Sequence, residues 1–174
     1  MDIVVGHDRT PRGDEAVCAA AALAEGERGE VSLGVVVVVT QIDLDRTGEL
    51  SAEAKRRVAV ERAFPETWRR VEEALYAAGR DPEALSMDVI VRVADVHLVR
   101  SQARIADELL QVAVDHGASR IVLGRRGRPD GVADNLLARS TREDLPELGD
   151  VLVLRVDPER AGVKRSEGFQ GGPR

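Results

Sequence analysis

The segment from Val31 to Thr40 constrains the fold more than any other part of the sequence, because it contains five consecutive valines. β-Branched side chains are stiff at χ1 and suit a pleated strand. A continuous apolar run, rather than an alternating one, is typical of a strand that is covered on both faces. The sequence therefore predicts an inner strand of a parallel sheet that has helices on both sides.

Four shorter apolar segments predict further strands, and segments of helical periodicity lie between them. The predicted strands are residues 3–7, 31–40, 87–93, 120–124 and 151–156. The predicted helices are residues 14–25, residues 51–79, a segment that ends at His116 and a segment that begins at Val132. Residues 41–50 are polar and predict a loop, and Pro65 predicts a kink or restart in the second helix.

This alternation predicts an α/β fold with a five-stranded parallel sheet, doubly wound and Rossmann-like, with helices on both faces and right-handed crossovers. Ligands of such sheets bind beyond the carboxyl ends of the strands, where the strand order reverses. The residues at the ends of the first and fourth predicted strands, Asp8 and Gly124, are therefore the candidates for a ligand site.

A glycine-rich and arginine-rich segment follows the fourth predicted strand and precedes a predicted helix. Its glycines are Gly124, Gly127 and Gly131, and its arginines are Arg125, Arg126 and Arg128. Glycines let backbone N–H groups approach a phosphate, and a helix N-terminus favours negative charge. Two glycines after a strand are also typical of a tight turn, so the pattern alone leaves both interpretations open.

Composition and charge exclude several classes of protein. The chain has 174 residues and a net charge of −6, so no overall basic field attracts nucleic acid. It contains one Trp, one Tyr and two Phe, which are too few for a surface that stacks on bases. The longest apolar run, Val35 to Val39, is far too short to span a bilayer. No signal peptide opens the chain, and the single Cys18 fits a reducing compartment. We therefore expect a cytoplasmic protein that binds neither nucleic acid nor membrane.

Sequence signatures of catalysis are weak. His7, His97 and His116 are far apart and lack the spacing of metal ligands. The chain has no Gly-x-Ser-x-Gly nucleophile elbow and no Walker-type phosphate loop. The sequence therefore favours a binding protein over an enzyme.

Several parts of the chain, taken together, resemble the universal stress protein family. Residues 3–11 (IVVGHDRTP) are similar to its first strand and loop, where an apolar strand ends in Asp and is followed by Gly and then Ser or Thr. Residues 121–127 (IVLGRRG) are similar to its fourth strand and Gly-x-x-Gly. Residues 132–137 are similar to the helix after its Gly-Ser, and residues 151–156 to its last strand. The resemblance extends over about residues 2–156, in order.

The resemblance implies that residues 1–156 form a stress-response domain. It also implies a fold like that of the adenine nucleotide alpha hydrolases, and the family is usually homodimeric. Nucleotide-binding members hold ATP, with Mg, through the Asp of the first strand, the backbone of a valine in the second strand, and a Gly-x-x-Gly-x9-Gly-Ser/Thr motif. By position, Asp8 contacts adenine or ribose, Thr10 belongs to the same loop, and Val36 is the valine. The phosphates are then approached by Gly124, Arg125, Gly127 and Gly131.

The sequence departs from the family motif at two places. The family motif expects Gly-Ser ten residues after Gly127, where this chain has Leu137-Ala138. One alternative alignment places the Gly-Ser at Gly131-Val132, with a spacer of three residues after Gly127. Another places it at Ser140-Thr141, which lacks the glycine. Arg9 also replaces a glycine of the first loop, where it is expected to fill part of the nucleotide pocket.

These departures favour a binding module that has weak or no ATP binding and no expected cofactor. The alternative is an adenine-nucleotide-binding protein whose phosphate loop is rebuilt with arginines, which can bind phosphate bidentately or instead form a solvated charged face. Weak ATPase activity stays open in that case.

Two expectations concern the end of the chain. The apolar strand from Val151 to Val156 is expected at or near a homodimer interface, because a strand at a sheet edge is unprotected in a monomer. Residues 157–174 contain almost nothing apolar and predict a disordered C-terminal tail.

Overall fold

Strands and helices alternate along the chain in the computed structural model, which describes residues 1–27, 29–94, 101–124, 131–132, 135–136, 152–156 and 164–165. The strands are β1 (Ile3–Gly6), β2 (Ser32–Val39), β3 (Ser86–Val93), β4 (Arg120–Gly124), β5 (Leu152–Val156) and β6 (Lys164–Arg165). The helices are α1 (Pro11–Glu25), α2 (Gln41–Asp45), α3 (Ala52–Ala77) and α4 (Ser101–His116), with a 3-10 turn at Pro82–Ala84. Val132, Asn135 and Leu136 are also helical.

The sheet has the order β3-β2-β1-β4-β5-β6. The first five strands in this order are parallel, and β6 pairs antiparallel with β5. The predicted α/β fold is therefore confirmed. The two-residue strand β6 was not predicted, and it lies within the segment predicted as a disordered tail. The rest of residues 157–174 lies outside the described residues, so a disordered tail stays a prediction there.

Two hydrophobic layers cover the two faces of the sheet. Ile3 and Val5 of β1 pack in a buried cluster with α1 and α3. Val4, between them, packs in a second buried cluster with α4 and Leu136. Successive strand residues point to opposite faces, so both clusters follow from one short apolar strand. This is the double covering that the valine run predicts.

The segment from residue 41 to residue 50 differs from its prediction, because it contains α2 rather than only a loop. The side chains of Thr40 and Asp43 form a reciprocal capping box at the start of α2. Leu44 is buried in a small cluster with Ala59 and Ala63 of α3. A helix of five residues is too short to produce a periodic pattern, so the sequence does not predict it.

Helix α3 continues through Pro65, so the predicted restart does not occur. Its buried residues are Ala59, Ala63, Thr67, Val71 and Leu75. These positions lie four residues apart and form one stripe on both sides of the proline. No helix in the described ranges is long and apolar enough to cross a membrane.

Candidate functional site

The carboxyl ends of β1 and β4 lie side by side at the point where the strand order reverses. Gly6, the last residue of β1, is in register with Leu123 of β4. Asp8 and Gly124 therefore lie at the same edge of the sheet, as predicted from the order of the elements. This crevice is where parallel α/β sheets bind ligands, although a ligand role for either residue stays a prediction.

Asp8 and Thr10 organise the loop between β1 and α1. The exposed carboxylate of Asp8 accepts hydrogen bonds from the Thr10 N–H (3.2 Å) and the Thr10 hydroxyl (2.5 Å). Thr10 is the N-cap residue of α1, yet its side chain makes no capping hydrogen bond to the helix. Both predicted site residues thus stabilise a local Asx-type turn at the edge of the crevice.

Arg9, between them, has an unusual backbone and a bridging side chain. Its φ is +58°, and it is the only non-glycine residue with a positive φ in the part of the chain that the structure describes. That region favours glycine, because a Cβ atom crowds the backbone there. The guanidinium pairs with Asp43 of α2, and its Nη1 lies 3.5 Å from Oε2 of Glu66 on α3. Arg9 therefore links the loop after β1 to the segment after β2 and to α3.

The Arg9 bridge is supported electrostatically at Asp43. Burial alone would raise the pKa of this carboxyl group, but the Thr40 N–H and the Arg9 guanidinium outweigh it and hold the pKa below its ordinary value. The carboxylate is therefore ionised at neutral pH and available to the guanidinium.

The backbone of Val36 is already used within the sheet, because its carbonyl accepts the His7 N–H at 2.9 Å. The Val39 carbonyl points to the opposite neighbour of β2 and accepts the N–H of Ala94, directly after β3, at 3.0 Å. Backbone groups of successive strand residues point alternately to the two neighbouring strands, so Val38 directs its N–H and C=O toward the β1 side, beyond the end of β1. The sequence carries no signal that distinguishes these valines, because they are identical neighbours in one run.

The predicted phosphate segment is described only in part. A Cβ atom on Gly124 would lie 2.4 Å from the Arg12 carbonyl oxygen, so glycine at this position lets the first turn of α1 approach the end of β4. The Gly131 carbonyl accepts hydrogen bonds from the backbone N–H (3.1 Å) and the side-chain amide (3.0 Å) of Asn135. Gly131 thus lies directly before Val132, which is helical, as the sequence predicts; the choice among the three alignments stays a prediction. Arg125, Gly127 and the other two candidate Gly-Ser positions lie outside the described residues.

A buried polar cluster next to the crevice was not predicted. The His7 side chain is fully buried, and its Nε2 lies 3.0 Å from Oδ1 of Asp14 on α1. Arg70 of α3 donates to both oxygens of Asp14, at 2.8 and 2.7 Å. Gly13 lies against the ring, since a Cβ atom there would be 2.9 Å from His7 Cδ2. The sequence offered no signal for this cluster, because Asp14 and Arg70 are 56 residues apart.

The cluster affects the ionisation of His7 and Arg70. Burial lowers the pKa of His7 below its ordinary value of 6.5, and Arg70 adds to this, while Asp14 and Asp8 oppose it. The hydrogen bonds to Asp14 raise the pKa of Arg70. The structure thus places a neutral imidazole beside a bidentate Arg–Asp pair.

Among the described residues, the possible metal ligands and the Cys18 thiol show neither a metal-binding group nor an activated nucleophile. Among the described residues, no group of three or more His, Cys, Asp or Glu side chains could hold a metal ion. The thiol of Cys18 is half-buried, 3.5 Å from the Ala74 carbonyl oxygen, and burial raises its pKa. Cys18 is therefore not activated as a nucleophile.

Comparison with known proteins identifies the fold. No protein-family model matches the sequence, and no curated protein sequence matches it either. The solved structure of the hypothetical protein MJ0577, described as a structure-based assignment of biochemical function, matches with a TM-score of 0.55 and 15% identity over 90% of this chain and 96% of that one. The crystal structure of the hypothetical protein PH0823 matches with a TM-score of 0.51 and 16% identity over 88% of this chain and 95% of that one. This chain therefore has the α/β fold of these proteins over most of its length, which is the fold that the resemblance to universal stress proteins implies.

Proposed function

We propose that this chain is a universal stress protein-like binding module of the stress response, that it acts as a homodimer, and that it binds ATP weakly or not at all. The observation that carries the proposal is the Arg9 bridge. It ties the loop containing Asp8 to the segment after β2. In nucleotide-binding members of the family, the Asp of the first strand and the backbone of a valine in the second strand contact the nucleotide, so the bridge lies beside both places.

The Arg9 bridge opposes nucleotide binding in two ways. It occupies space between the ends of β1 and β2, where Val38 directs its backbone groups. It also satisfies the guanidinium with two carboxylates, Asp43 and Glu66, so the arginine is not available to a phosphate. Releasing it would expose carboxylates to a ligand that is itself an anion, which is unfavourable.

The phosphate side of the crevice supports the same proposal. A hydrogen bond to an ionised oxygen contributes about 1.5–3 kcal/mol. Losing the hydroxyl and the N–H of a correctly spaced Gly-Ser removes roughly two such bonds. At about 1.4 kcal/mol per factor of ten, the affinity for ATP falls roughly a hundredfold to ten-thousandfold.

Calorimetric titration with Mg-ATP tests the proposal, with wild-type protein and the Arg9→Gly variant compared at equal concentration. Glycine adopts a φ of +58° without strain and removes the bridge. We expect no micromolar binding by the wild type. We expect the affinity of Arg9→Gly for Mg-ATP to be about tenfold higher, which corresponds to about 1.4 kcal/mol.

The matched control is Arg69→Ala, which removes the positive charge of an exposed ion pair with Glu73 on α3. It should leave the titration unchanged. Micromolar binding by the wild type that is lost in Asp8→Ala contradicts the proposal and favours the alternative of a phosphate loop rebuilt with arginines.

A further inference from the structure

Both ring nitrogens of His7 are engaged, and together they define one protonation state. Nδ1 accepts a hydrogen bond from the backbone N–H of Arg9 at 3.0 Å. An accepting nitrogen carries no proton, so the ring proton is on Nε2, which donates to Asp14. The closed loop therefore requires the neutral imidazole in its Nε2–H tautomer.

A second proton on His7 is incompatible with this loop. It would bind at Nδ1 and face the N–H of Arg9, so that two donors would point at each other. The ring has little room to turn away, because Gly13 packs directly against it. The Arg9 backbone is the part that must move, and its left-handed conformation is already unfavourable for a residue with a Cβ atom.

The charged groups around His7 come from three elements. Asp14 on α1 favours the protonated ring, but its charge is already paired with Arg70 of α3. Asp8 in the loop also favours protonation, and it is exposed to solvent. Arg70 disfavours protonation. The carboxylates near the ring are thus either paired or solvated, and burial of the ring dominates.

We propose that His7 is a proton-operated latch, in which protonation at Nδ1 releases the Arg9 N–H and opens the loop from Asp8 to Thr10. Opening the loop also loosens the Arg9 bridge to Asp43 and Glu66, because the backbone that positions the guanidinium is released. The latch is closed at neutral pH and opens as the pH falls. It depends only on described contacts of His7 and not on which ligand the crevice binds.

Nitrogen-15 NMR of the full chain between pH 8 and pH 5 tests the latch directly. Long-range imidazole spectra report the tautomer and the titration of His7, and amide hydrogen exchange reports the Arg9 N–H. We expect the Nε2–H tautomer at pH 8. We expect the protection factor of the Arg9 amide, which is corrected for intrinsic exchange, to fall at least tenfold as His7 becomes protonated.

The variant His7→Asn separates the latch from a general effect of acid. Asparagine does not titrate, and its side-chain oxygen can accept the N–H two residues later in an Asx turn. Its Arg9 amide should stay protected across the pH range, while the control His116→Asn, at the end of α4, should behave like the wild type. The proposal is overturned if Arg9 stays protected when His7 is protonated, if the tautomer is Nδ1–H, or if His7→Asn loses protection at the same pH. If His7→Asn does not fold, the first two results in the wild type still decide.

Discussion

At the scale of single residues, two glycines make the close packing at the carboxyl edge of the sheet possible. Gly124 and Gly13 are needed because a neighbour occupies the place of a Cβ atom, rather than for a left-handed backbone. The locations of Asp8 and Gly124 were predictable from strand ends. Their local partners were not, since pairs such as Asp14 and Arg70 are brought together only by packing of α1 on α3.

Gly124→Ala should destabilise the protein, because the new Cβ atom would lie 2.4 Å from a backbone oxygen that has little freedom to move. Overpacking of this kind costs about 1–3 kcal/mol. The matched control is Gly26→Ala, at the end of α1, where the nearest atom is 3.5 Å away and φ is −79°. It should be neutral or stabilising by about 0.4–1 kcal/mol. Urea unfolding of both variants measures the difference, and equal stability of the two would show that α1 does not approach β4 so closely.

The stability of the protein should decrease as the pH falls below about 6.5, the ordinary pKa of histidine. Burial lowers the pKa of His7 in the folded state, so in this range the unfolded chain binds the proton first and the free energy of unfolding falls. The loss continues until folded His7 also becomes protonated. Urea unfolding between pH 7.5 and 5.5 checks this, and His7→Asn should have a flatter profile than the wild type. A wild-type stability that rises over the same interval would contradict the assignment of a neutral buried His7.

At the scale of elements, long periodic segments were predictable and short or interrupted ones were not. The valine run, the stripe of α1 and the end of α4 at His116 followed from the pattern. Helix α2 was missed because its five residues are stabilised by a capping box and by one buried leucine. One helix over residues 51–79 was predicted, but the restart at Pro65 does not occur, because packing of the buried stripe on both sides of the proline outweighs its local effect.

Pro65→Ala should stabilise the protein. Pro65 is exposed within α3 and cannot donate the hydrogen bond that a helix interior requires. Its replacement by alanine should raise the free energy of unfolding by about 1–3 kcal/mol. The exposed Glu61→Ala is the control and should change stability by less than about 0.5 kcal/mol. Thermal unfolding measures both variants, and a lower melting temperature for Pro65→Ala would indicate that the helix needs the proline to curve around the sheet.

At the scale of the whole molecule, the alternation of strand and helix was enough to predict the parallel sheet and its reversal point. Right-handed crossovers leave few ways to arrange such elements. The strand β6 was not predictable, because two charged residues carry no strand signal. It pairs with β5 only at Leu154 and Arg155, so most of the outer side of β5 has no strand partner among the described residues.

Dimerisation through this side of the sheet is the corresponding prediction. Light scattering after size exclusion should give the mass of a dimer at micromolar concentration. Leu152→Lys, at a position of β5 that does not pair with β6, should convert it to a monomer that keeps the circular dichroism of the wild type. Leu50→Lys introduces the same change at a side chain that is 46% exposed between α2 and α3, and should leave the dimer intact. A monomeric wild type, or a Leu152→Lys variant that stays dimeric, would exclude β5 as the interface.

The central claim is that the crevice at the ends of β1 and β4 does not retain ATP. It is tested most directly by denaturing the freshly purified wild-type protein and quantifying the released nucleotides by chromatography. The account predicts far less than one adenine nucleotide per chain. ATP released in a ratio near one per chain would contradict it, because the Arg9 bridge and the altered phosphate motif would then be compatible with tight binding.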